Sequence, residues 1–97
     1  MKMVFVVYNE ALDEEVMEIM SANSLENYTK WHKVSGVGKT SGPHLMSHVW
    51  PKANNVLMTC VEDAQVEAVM AGVGRLREKA GTGGVKAFVL PIEAATL

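Results

Sequence analysis

Strand-sized apolar runs and helix-sized amphipathic stripes alternate along this chain in the order βαββαβ, and few folds accept that order. Met1–Tyr8 is apolar, with Val4, Phe5, Val6 and Val7 supplying β-branched and aromatic bulk, and predicts a buried first strand. Asn9 is placed to cap a helix. From Ala11 to Ala22, Leu12, Val16, Ile19 and Met20 recur at helical spacing. Asp13, Glu14, Glu15 and Glu18 lie off that stripe, the early ones suiting the positive end of a helix. Tyr28–Val34 predicts a second strand, and Gly36–Pro51, with Gly36, Gly38, Gly42, Pro43 and Pro51, a loop. Val56–Val61 is the third strand. Asp63 is placed to cap a second helix whose stripe is Val66, Val69, Met70, Val73 and Leu76. Ala80–Gly84 stops it with three glycines, and Val85–Ile92 forms the last strand, with Pro91 tolerated at a strand end or sheet edge. Two split units of this kind give an α+β, ferredoxin-like sandwich. It has a four-stranded antiparallel sheet with both helices on one face.

The chain's 97 residues leave room for one core, so residues 1–97 are read as a single domain. A formal charge of −2 gives no pull toward nucleic acid or an anionic membrane. The longest apolar runs, Met3–Tyr8 and Ala87–Ile92, are too short to span a bilayer, and acidic residues come after the first too soon for a signal peptide. Cys60 is the only cysteine, which fits a reducing compartment, and the cytoplasm is expected. A sheet in so small a domain often exposes an apolar face that another copy covers, so self-association is expected too.

Val34-Ser35-Gly36-Val37-Gly38-Lys39-Thr40-Ser41-Gly42 resembles the segment V-x-G-x-G-[RK]-x-x-G of the nitrogen regulatory P-II family, which comes after the second strand and opens the mobile T-loop. Gly84-Val85-Lys86-Ala87-Phe88-Val89 is similar to the run that opens the family's last strand. The resemblance extends from Met3 to about Glu93. It implies a homotrimer that binds adenine nucleotide (ATP, ADP or AMP) in clefts between subunits and regulates a protein partner, such as a transporter or an enzyme, without being an enzyme itself. By motif match, Gly36, Gly38, Lys39, Gly84 and Lys86 are the implied nucleotide-binding residues. Glycines let the backbone approach a phosphate, and lysines bring positive charge.

The sequence departs from the family pattern in three places. The loop between Gly42 and Asn54 is short and has no tyrosine, so the uridylylation switch is lacking. The glycine-rich stretch Gly81-Thr82-Gly83-Gly84 is abbreviated, and the arginines that grip phosphate after the last strand are missing. A changed effector is therefore expected, sensed through loop 39–54.

Within that loop His44, Met46 and His48 point to one side of an extended chain, and His32 precedes it on the second strand. Two imidazoles and a thioether suit zinc or copper, which makes a metal-binding protein of the CutA type the alternative reading. Ordinary polar loop residues anchored by Trp50 and Pro51 would look the same. Gly36–Thr40 also mimics the end of a Walker A motif, but Lys33 stands where its leading glycine belongs and Pro43 blocks the helix required after it. Cys60 alternates with Met58 and Val56 on one strand face and reads as a buried structural thiol. Trp31 suits an exposed sheet face or a subunit contact. No nucleophile–base pair or carboxylate pair falls together, which argues against an enzyme.

Overall fold

A computed structural model describes residues 1–37, 53–81 and 83–97. Strand β1 (Lys2–Asn9) leads through a short 3₁₀ turn (Glu10–Leu12) into helix α1 (Asp13–Ala22). Strands β2 (Thr29–Val34) and β3 (Asn54–Val61) come next, then helix α2 (Asp63–Ala80) and strand β4 (Val85–Pro91). The sheet has the order β2-β3-β1-β4 and every pairing is antiparallel, as a ferredoxin-like sandwich requires. β3 begins two residues before the expected Val56, and those two residues, Asn54 and Asn55, matter to the site.

The period of two along the strands sorts side chains onto two unlike faces. Val4, Val6 and Tyr8 stand in register with Thr59, Leu57 and Asn55 on one side and with Val89, Ala87 and Val85 on the other. This face is closed over by Val16 and Met20 of α1 and by Val69, Val73 and Leu76 of α2, which together make the core. The helices approach closely because α2 offers Gly72 to Ile19; a Cβ at Gly72 would come 3.1 Å from the Ile19 Cγ2.

The other face carries Met3, Phe5 and Val7 in the centre, Val56, Met58 and Cys60 on β3, Phe88 and Leu90 on β4, and Trp31 on β2. These residues are only partly covered, and Trp31, Phe88 and Leu90 are exposed. Cys60 is thus not a core thiol: it is partly accessible on this apolar face, opposite Met3.

Helix α2 is started differently from expectation. Glu62, not Asp63, is the cap: its side chain accepts from the Gln65 backbone N–H, while the Gln65 Oε1 accepts from the Glu62 N–H at 2.8 Å. Asn9 does cap, accepting from the Ala11 N–H at 2.9 Å. A Gln65→Ala variant is expected to lose about 1 kcal/mol of stability in urea unfolding. It removes one arm of this box and the side chain's bond to the Asn23 carbonyl.

Candidate functional site

One end of the sheet gathers what the chain keeps far apart. There β1 finishes, β2 finishes, β3 begins and β4 begins. The Asn9 N–H donates to the Gly84 carbonyl at 2.8 Å and the Glu10 N–H to the Ala53 carbonyl at 3.3 Å, tying the β4 entry and the β3 entry to the end of β1. Arg77, near the C-terminus of α2, donates to the Val85 carbonyl at 2.8 Å and pins the helix end to the same place. That bond gives Arg77 a structural use, whereas Arg75 and Lys79 remain on the outer surface beside Glu15 and Glu18.

Beneath this end lies a polar cluster that the motifs did not reveal. Tyr8, 1% exposed, donates its phenolic hydrogen to the Asp13 Oδ1 at 2.6 Å. Lys30 of β2 reaches the same carboxylate at 2.9 Å, and the Asn55 Nδ2 faces it at 3.5 Å. Burial by itself would raise the Asp13 pKa, but the hydrogen bonds from Tyr8 and Lys30 and the charge of Lys30 outweigh it, so the carboxyl lies below its ordinary value. Burial first, and then the bond to Asp13, push the Tyr8 phenol well up. The only sequence signal for this cluster is a set of polar residues at inward positions of apolar strands. Tyr8 comes after Val4 and Val6 with period two, and Asn55 precedes Leu57.

The end of β2 is irregular. Trp31 pairs with Val56 and Val34 with Asn54, so three steps on β2 match two on β3 and one residue bulges out. Lys33, inside the bulge, has φ +57°. Its N–H donates to the Asn55 Oδ1 at 3.2 Å and its ammonium pairs with Glu10 at 3.1 Å.

Of the residues matched to the P-II motifs, Gly36 is exposed just past β2, and a Cβ there would meet the Asn54 Nδ2 at 3.2 Å. At Gly84 a Cβ would come 3.2 Å from the Leu12 Cδ1, so the β4 entry passes close beside the 3₁₀ turn. Lys86 is exposed on the apolar face, in one cross-sheet row with Val7, Val56 and Trp31. Gly38 and Lys39 lie outside the described residues, as do His44 and His48. His32 is exposed on β2. Among the described residues, no three His, Cys, Asp or Glu side chains gather to hold a metal ion. No helix among them is long and apolar enough to cross a membrane.

The structure is similar to CPII of Thiomonas intermedia K12, a nitrogen regulatory PII-like protein. For CPII bound to ADP, AMP and bicarbonate the TM-score is 0.74 at 19% identity, covering 99% of this chain and 93% of that one. For CPII bound to ADP, AMP and acetate the TM-score is 0.73 at 18% identity, covering 98% and 88%. The apo form of CPII gives 0.69 at 18% identity, covering 91% and 84%. No curated protein compared with the chain matches it. At such identities the likeness establishes the fold. The model of the family described as nitrogen regulatory protein P-II matches residues 1–97, and the chain therefore belongs to the P-II family.

Proposed function

We propose that this P-II family chain is one domain over residues 1–97 that forms a homotrimer and binds an adenine nucleotide between subunits. It signals through loop 39–54 to a protein partner such as a transporter or an enzyme, and acts as a regulator rather than a catalyst. The observation that carries this reading is the spread of the motif residues. Gly36 leaves the edge strand β2, whereas Gly84 and Lys86 sit on the opposite edge strand β4 or at its entry. Three inter-strand steps of about 4.8 Å separate those edges by about 14 Å. One subunit therefore offers two half-sites, and a cleft that uses both needs the β2 edge of one copy beside the β4 edge of another.

The apolar face supports the same assembly, because Met3, Phe5, Val7, Val56, Met58, Phe88 and Leu90 form a continuous surface of the kind subunits bury. The residues present suit a nucleotide. Trp31, 44% exposed, offers a flat ring to a base, and Lys86 offers a cation to phosphate. The ADP and AMP in CPII support adenine nucleotide as the effector class, and its bicarbonate supports a small oxyanion as a second ligand. The lone Cys60 supports a reducing, cytoplasmic setting.

Native mass spectrometry of chelator-treated protein with ATP, ADP and AMP tests the reading. A trimer taking up one nucleotide per subunit is expected, with Lys86→Ala weakening uptake by a factor of roughly 10–100, the size of a lost charge-assisted contact. A trimer that ignores all three nucleotides would refute the nucleotide assignment. Stoichiometric zinc or copper uptake in their place would point to His32, His44 and His48.

A further inference from the structure

Lys33 is one of two non-glycine residues with positive φ among the described residues, and it stands three positions before Gly36. A lysine in the left-handed region is held there against its preference, so something must hold it. The Asn55 Oδ1 accepts from the Lys33 N–H at 3.2 Å, and Asn55 is 2% exposed. Its amide has a defined orientation because the Nδ2 faces the Asp13 carboxylate at 3.5 Å, which leaves the oxygen toward β2. Next to it, Asn54 pairs with Val34 and lies against Gly36, where a Cβ would come 3.2 Å from its Nδ2.

We infer that Asn55 and Asn54 are positioning residues for the backbone at Gly36, where the chain leaves β2. Asn55 locks Lys33 into the left-handed bulge that sets the direction in which the chain leaves the sheet, and Asn54 sets the height at which Gly36 passes over β3. Asp13, Tyr8 and Lys30 act one step further back by orienting the Asn55 amide. The course of the chain through Gly36 is thus set before any ligand arrives, and a ligand pays no cost for setting it. The inference deepens the nucleotide reading by naming what holds one half-site in shape. It assigns the residues a role through the backbone rather than by contact with ligand.

Two variants at Lys33 separate backbone from side chain. Lys33→Gly and Lys33→Val both delete the ammonium and its exposed pair with Glu10, but glycine accepts positive φ freely and valine resists it. In the unliganded protein, the Gly36 and Val37 amide resonances are expected to stay near wild-type positions in Lys33→Gly and to move in Lys33→Val. Nucleotide affinity, read by titration with ADP, is expected to hold within about twofold in Lys33→Gly and to fall about tenfold in Lys33→Val, the size of a left-handed penalty. Asn55→Leu is expected to reproduce the Lys33→Val spectrum at Gly36 and Val37.

Matching spectra for the glycine and valine variants would overturn the inference, because the conformation of Lys33 would then not set the course of the chain at Gly36. If wild-type protein takes up no nucleotide, the function proposed above fails. The amide shifts still decide the positioning role on their own.

Discussion

Replacing Asp13 with leucine is expected to cost the fold about 2–3 kcal/mol in urea unfolding. Stripping one partner from a buried charged pair costs about 3–5 kcal/mol, and water at the accessible flank of the site returns part of that. The loss is large because three donors share this one carboxylate: the Tyr8 hydroxyl, the Lys30 ammonium and the Asn55 amide. Tyr8→Phe, which removes the hydroxyl's bond to Asp13 and leaves the ion pair in place, is expected to cost only about 1 kcal/mol. Equal losses from the two variants would show that Asp13 is not the hub. The Asp13 pKa is lower in the folded protein than in the unfolded chain. Its contribution is therefore complete above the ordinary aspartate pKa of about 3.9 and is lost as the pH falls through the folded value. The stability gap between wild type and Asp13→Leu should accordingly be the same at pH 7 and pH 6 and shrink as the pH drops below about 4.

Phe5→Glu is expected to leave monomers at micromolar concentration where the wild type forms the proposed trimer, as read by native mass spectrometry or sedimentation. Phe5 stands at the middle of the central strand, in register with Met58 on one side and Phe88 on the other, on the face away from the helices. A carboxylate there must lose its water when copies meet, a cost of several kcal/mol at each contact, and its directly paired neighbours Met58 and Phe88 are apolar. The core side chains Val4 and Val6 point to the other face, so the far-ultraviolet spectrum and the folded state should survive. A Phe5→Glu protein that remains trimeric would mean that the subunits do not bury this face against one another.

These two sites differ in how well the sequence announced them. The apolar face was legible: Met3, Phe5 and Val7 lie out of phase with Val4, Val6 and Tyr8, and a strand apolar in both phases is covered on both sides. The position of Lys86 came from a motif, and the structure places it in a row with Trp31, Val56 and Val7. The Asp13 cluster was not legible. Asp13 read as a helix-end acid, Lys30 as one residue of a strand, and Asn55 fell just outside the expected third strand, because nothing in local spacing says that β2, β3 and α1 converge on one carboxylate. The capping of α2 shows the same limit on a smaller scale. Asp63 and Glu62 are both acids at a helix start, and only the reciprocal bonds with Gln65 decide between them.

Sequence by itself determined the element order, the sheet with helices on one side and the family. These rest on periods of two and 3.6 and on glycine motifs, all of them local properties of the chain. Tertiary structure alone decided which polar groups share a partner, that Lys33 bends left-handed under the hold of Asn55, and that Gly36 and Lys86 fall on opposite sheet edges. Those outcomes depend on strand order and on a one-residue bulge. Local periodicity does not encode either of them, because a shift of one residue in register exchanges the two faces while leaving the sequence of the strand unchanged.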